Sequence, residues 1–195
     1  VRLMKKSIAA FTLIELLVAI SILALLAAAA VPSFKSSITR NQAQTTLRDF
    51  AGHLKFARSE AAATQRPVVV CHLNGTACDA NWSQGWTVFY DDNNDRTLNN
   101  AADKLKVHAG LGNHQLSVVD DASTAVAQNW VVFDPLGRVS SRMTVQYCDK
   151  DSIGGTKAKS VTSRALVIEN TGVAMFSRVG PLGYYRDING VDLEC

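Results

Sequence analysis

From Phe11 to Val31 every position is apolar or small except Thr12, Glu15 and Ser21. A run of about 20 such residues is what a helix needs to cross the hydrocarbon core of a bilayer. After Pro32 the pattern turns periodic: Leu47, Phe50, Ala51, Leu54, Ala57 and Ala61 recur at three- and four-residue steps, with Arg48, Asp49, Lys55 and Glu60 mostly between them. That spacing predicts an amphipathic helix to about Thr64. As one helix, Phe11 to Thr64 would measure about 80 Å at 1.5 Å per residue, a length that suits an anchor or a filament. Pro32 lacks an amide hydrogen, so a kink or a melted turn is expected there.

From Pro67 the signals change to strands. Val68 to Cys71, Trp86 to Tyr90, Trp130 to Phe133, Met143 to Cys148, Ala165 to Glu169 and Val173 to Phe176 are separated by Gly, Asn and Asp clusters, which predicts short antiparallel strands. The fold class is therefore α+β: a long N-terminal helix, with a membrane half and an amphipathic half, packed on an antiparallel β-rich head. Four regions follow: a leader at 1–10, a transmembrane helix at 11–31, an amphipathic helix at 32–64 and a head at 65–195. The polar stretches 91–104 and 149–163 read as loops. No repeat is evident.

Charge sets the orientation. Arg2, Lys5 and Lys6 precede the apolar run and no positive cluster directly follows it, so residues 1–10 belong in the cytoplasm and the head outside. The formal net charge is +3; without those three residues the 20 basic residues fall to 17, equal to the 17 acidic ones. The head thus lacks the bulk positive charge of a nucleic-acid binder. Met4 is an alternative initiator to Val1 that would shorten only the leader. The small residues Ala28 to Ala30 also permit the rival reading of a cleaved secretory signal.

Glu15 is the residue that the apolar run does not explain. An unpaired carboxylate in hydrocarbon is costly, so an ionisable group at this depth suggests a function and a positive partner. Cleavage between Ala10 and Phe11 would supply one, because the new α-amine starts the helix close in depth to Glu15 of a neighbouring copy. The sequence around the cut, Lys5-Lys6-Ser7-Ile8-Ala9-Ala10 followed by Phe11-Thr12-Leu13-Ile14-Glu15, resembles the type IV prepilin signature. That resemblance implies a prepilin peptidase that removes the leader and N-methylates Phe11. Ala10 stands where the signature usually has glycine.

The head carries Leu54 to Ala62 (LKFARSEAA), Arg66-Pro67-Val68, Gly85-Trp86-Thr87-Val88-Phe89 with Asp91, and Phe133-Asp134-Pro135-Leu136-Gly137-Arg138. With these segments the chain resembles the FimT/GspH-type minor pilins and pseudopilins. The resemblance implies a helical spine, a β-sandwich-like head and low copy number in a filament, at or near whose tip the protein helps to initiate pilus assembly. It equally implies the alternative of a pseudopilin capping the filament of type II secretion. Implied partners are other major and minor pilins through the N-terminal helix, the prepilin peptidase, and the inner membrane before assembly. The implied location is a single-pass inner-membrane protein with a periplasmic head, extracellular once assembled. Some relatives bind DNA through a Gly-Arg-x-Arg motif, for which this chain has Gly172-Val173-Ala174-Met175. Without those arginines DNA is a disfavoured partner, left to a local patch of Lys157, Lys159, Arg164, Arg178 and Arg186.

The remaining chemistry reads as structural. Cys71, Cys78, Cys148 and Cys195 all follow the apolar run, in an oxidising compartment if it spans the membrane. Cys71 and Cys78 flank the turn pair Asn74-Gly75, predicting a bond between them and another between Cys148 and Cys195. His72 beside Cys71 lacks a second ligand pair for zinc. Asp91, Asn93 and Asp95 alternate as in a calcium loop, but Arg96 and Ala102 replace its glycine and its bidentate glutamate. No cofactor or metal is implied. His53, His72, His108 and His114 lack the context of a catalytic triad, so no enzyme is predicted. Trp82, Trp86 and Trp130 read as core residues. Phe56 falls roughly opposite the Leu47 to Leu54 stripe, a place for contact with another pilin or for packing under a loop of the head.

Overall fold

The apolar run and the periodic stripe form a single helical element, α1, over Leu13–Thr64. The computed structural model describes residues 12–112, 114–120, 127–148, 164–181, 185–187, 189–190 and 192–193, with the backbone alone at 28–33, 35 and 36. The chain divides into two compact units, Val1–Ile38 and Thr39–Cys195.

In the first unit α1 opens on a reciprocal cap. The Glu15 amide donates to Thr12 Oγ1 at 3.3 Å, and the Thr12 amide and hydroxyl both lie 3.5 Å from the Glu15 carboxylate. The arrangement engages amide hydrogens that a first helical turn leaves without partners. The chain stays helical through Pro32, so no melted turn interrupts it. The described apolar side chains of this unit are bare: Leu13 is 82% exposed, Leu25 73% and Phe34 72%. Among the described residues no helix is long and apolar enough to cross a membrane; Phe11 lies outside them, and side chains of the apolar run are described only to Ala27.

In the second unit the remainder of α1 buries Ala43, Leu47, Phe50, Leu54, Ala57 and Ala61 completely. Steps of four and three residues put all six on one stripe, and each of the three large side chains contributes about 2 kcal/mol by burial. The helix ends where Gln65 adopts a left-handed φ of 58° and Pro67 follows, which cannot extend it.

Among the described residues, two antiparallel sheets complete this unit. The first holds β1 (Val68–Asn74), β2 (Ala77–Asp79), β3 (Gly85–Tyr90), β4 (Lys104–Ala109) and β6 (Trp130–Phe133), ordered β2-β1-β3-β4 with β6 also paired to β1. The second holds β5 (Gln115–Asp120), β7 (Met143–Cys148), β8 (Arg164–Ile168) and β9 (Ala174–Phe176), ordered β5-β7-β8-β9. In-register pairs such as Val69 with Phe89 and Val132 fix β1 at the centre of the first sheet. The helix stripe, Val68 to Cys71, Trp86, Phe89, Phe133, Val145, Leu166 and Ile168 join one core. Phe50 meets Trp82 and Trp86 edge-on, with ring centroids 5.7 and 4.9 Å apart, the geometry that aromatic quadrupoles favour.

The predicted α+β class, a helix on an antiparallel head, is the observed one. β2, β4 and β5 were not expected from the sequence. β4 reads Lys-Leu-Lys-Val-His-Ala, a polar–apolar alternation that the strand assignment overlooked, and its side chains are exposed or half-buried throughout.

Candidate functional site

Two features stand out for function: the bare start of α1, and the way the distinctive segments of the head grip its second half. Ala10 and Phe11, the expected cleavage and methylation positions, lie outside the described residues. Glu15 is exposed in the first turn of α1, where it engages Thr12. It sits at the edge of a helix surface on which Leu13, Ile14, Leu16, Leu17, Val18 and Ile20 are each about half exposed or more. Apolar surface of this extent, bare among the described residues, is suited to packing against other helices or lipid.

The LKFARSEAA segment works on several faces of the helix at once. Leu54, Ala57 and Ala61 enter the core. Arg58 Nε donates to the Gly137 carbonyl at 3.1 Å, and Glu60 accepts from the Tyr90 hydroxyl. Gly137 sits in the tight turn of the FDPLGR segment, where Asp134 accepts from the Leu136 and Arg138 amides at 2.9 Å. Gly172 packs so closely that a Cβ there would lie 2.2 Å from the Gly137 carbonyl oxygen, at a φ of +76° that favours glycine. Arg58, Gly137 and Gly172 therefore form one junction between α1 and two turns of the head. Arg66, beside the end of α1, pairs with Asp92 at 2.6 Å and Asp103 at 3.0 Å and lies over the Tyr90 ring. Hydrogen bonding to Arg66 holds the Asp92 carboxyl below the ordinary range.

Phe56 is half-buried against the core with Lys106 Nζ 4.1 Å from its ring centroid. It packs against Lys106 of β4, a strand of its own head and not the loop that the sequence reading offered beside contact with another pilin. Sequence reading missed His53 and His108, which frame Trp86. The Trp86 indole donates to His53 Nδ1 at 2.8 Å, and His108 stacks on the same indole at 3.9 Å. The four-residue step from Asp49 to His53 beside a buried tryptophan was the only signal.

The calcium-like loop is closed by its own groups. Asp91 is buried, pairs with Arg96 Nη1 at 2.9 Å and accepts the Asp95 and Arg96 amides. Asp95 accepts from Asn99, which with further bonds from Thr97 and Asn93 keeps its carboxyl below the ordinary range. His72 Nδ1 bonds the Gly85 carbonyl at 3.1 Å. Among the described residues no group of three His, Cys, Asp or Glu side chains is placed to hold a metal.

Cys71 and Cys78 form a disulfide across the β1–β2 hairpin, with Cα atoms 5.6 Å apart. Cys148 is also disulfide-bonded; its expected partner Cys195 lies outside the described residues. Of the basic residues, Lys157 and Lys159 lie outside them too. Arg164 sits over the Tyr185 ring at 5.4 Å, and Arg186 pairs with Asp192 at 3.1 Å. Arg178 and Arg186 line one cavity of about 550 Å³, whose walls include Met175 and Phe176.

A helix with a bare apolar start and a buried second half, carried on two small antiparallel sheets, can now be set beside known proteins. The family described as Type II transport protein GspH matches residues 46–172. The chain belongs to the GspH family. The prokaryotic N-terminal methylation motif matches residues 5–31, so this GspH-family chain carries a pilin-like processing signal ahead of its head. The type IV minor pilin FimU of Pseudomonas aeruginosa shares 18% identity over 71% of this chain and 90% of its own, with a TM-score of 0.50, a likeness of fold. The minor pseudopilin EpsH from the type 2 secretion system of Vibrio cholerae aligns at 13% identity over 69% of this chain and 95% of its own, with a TM-score of 0.46. A comparison with curated proteins finds no match. The family is one of structural pilins and pseudopilins, and the motif implies processing by prepilin peptidase and assembly with other pilins.

Proposed function

We propose that this GspH-family chain is a minor type IV pilin, cut between Ala10 and Phe11, N-methylated on Phe11 and incorporated at or near a filament tip, where it helps to initiate assembly. The observation that carries the proposal is the division of α1: its second half is covered by its own head, while its first half leaves Leu13 to Leu26 bare behind a methylation motif. Before assembly the 11–31 run lies in the inner membrane with the head in the periplasm. In the filament it packs against the same segment of other pilins, and Glu15 neutralises the α-amine of a neighbour. No catalytic step is involved.

A second reading is favoured by the family description itself, which names type II transport: a pseudopilin serving a secretion machine through the same helix. A clean deletion strain, complemented with the wild-type gene, separates the two. Loss of surface pili with normal exoprotein secretion is the expected result; normal pili with blocked secretion would replace the first reading by the second. Direct DNA binding is disfavoured, because Val173 and Met175 stand where related DNA binders have arginines and Arg186 already pairs with Asp192.

A further inference from the structure

The contact between α1 and the first sheet contains one hydrogen bond that can exist in only one protonation state. Trp86 is 1% exposed, and an indole nitrogen donates but cannot accept. It donates to His53 Nδ1 at 2.8 Å, so Nδ1 must keep its lone pair and the ring must be neutral with its proton on Nε2. The groups around His53 leave little room for charge. From its own helix Asp49 faces it; from β3 comes only the Trp86 indole; from β4 come Lys106 and His108, whose ring centroid is 6.1 Å away. His108 is committed elsewhere, with Nδ1 donating to the Ala109 carbonyl at 2.6 Å and Nε2 3.9 Å from Asp49.

We propose that His53 is an acid-labile latch: a proton taken up at Nδ1 sets two donors face to face at Trp86 and releases this part of α1 from β3 and β4. Burial, followed by Lys106 and His108, lowers the affinity of His53 for that proton below its ordinary value of 6.5, with Asp49 opposing. As pH falls the unfolded chain is therefore protonated first. The stability contributed by the neutral ring is complete above 6.5 and is lost as pH falls from there towards the lower folded-state value. The unfolding equilibrium rises by about tenfold per pH unit across that window. The latch acts within the chain and does not depend on which machine carries it.

The test is urea unfolding of the full-length chain in detergent micelles at pH 7.5 and 5.0, comparing wild type with His53→Gln, whose amide oxygen accepts from the indole without titrating. The increase in the unfolding constant on acidification should be larger in wild type than in the variant, by up to about tenfold for each pH unit of that window; equal increases would overturn the proposal. If His53→Gln does not fold, the wild type alone decides the matter by NMR. The Trp86 indole N–H signal, identified by its loss in Trp86→Phe, should move with the His53 ring at a midpoint below 6.5. An indole signal that stays fixed through the His53 titration would overturn it.

Discussion

A Glu15→Gln chain is expected to be made, inserted and cut like the wild type, with a folded head, and yet to be lost from filaments. The substitution is chosen for what it preserves. In this structure Glu15 already has a local role as the reciprocal partner of Thr12 at the start of α1, and glutamine fills that position in a capping box as well as glutamate does. What glutamine cannot do is carry the charge that would answer a neighbour's α-amine. Removing one partner of a buried ion pair costs about 3–5 kcal/mol, because the other charge stays buried without compensation. That corresponds to more than about a hundredfold in the equilibrium for adding the subunit, so the filament-bound fraction should fall below detection in sheared preparations. Normal incorporation of Glu15→Gln beside failure of Glu15→Ala would mean that the cap, and not the charge, is what assembly uses. Normal incorporation of both would remove Glu15 from the account.

The largest effect on the head is expected at Phe50. Its ring is fully buried on the helix stripe and edge-on to Trp82 and Trp86, which are themselves 1% exposed. Truncation to alanine loses those contacts and leaves a cavity between α1 and β3 that rigid indoles cannot fill, a change that typically costs about 3–5 kcal/mol. Against a total stability of about 5–15 kcal/mol for a domain, this is about a fifth of the whole or more. Urea unfolding of the full-length Phe50→Ala chain in detergent should show the midpoint falling accordingly, and the steady-state level in cells should drop. A loss under about 1 kcal/mol would mean that the stripe does not pack as described.

Most of the architecture was legible in the sequence because it follows from simple periodicities. The stripe from Leu47 to Ala61 has helical spacing, and all of it but the partly buried Ala51 is fully buried. The six expected strands are present to within a few residues, since their valines, aromatics and flanking glycines are local signals. The Cys71–Cys78 bond followed from a turn pair in a short loop. β4 and β5 escaped notice because little of either is buried: β4 is an edge whose side chains stay partly in water, and β5 fully buries Leu116 and Val118 alone. The junction of Arg58, Gly137 and Gly172 could not be read, because it joins three segments far apart in sequence through a carbonyl and a missing Cβ. The pairing of His53 with Trp86 is similarly non-local, spanning 33 residues. At the other end of the chain, the methylation motif at residues 5–31 was legible, because such a signal is written in consecutive residues.

The central claim is that the bare half of α1 is matured and carried into a filament. It is tested most directly by mass spectrometry of the chain recovered from purified filaments. The expected N-terminal peptide begins at N-methylated Phe11 and reads into Thr12-Leu13-Ile14-Glu15. A chain found only in the membrane fraction with residues 1–10 still attached, or one cut after the apolar run near Ala30, would contradict the account.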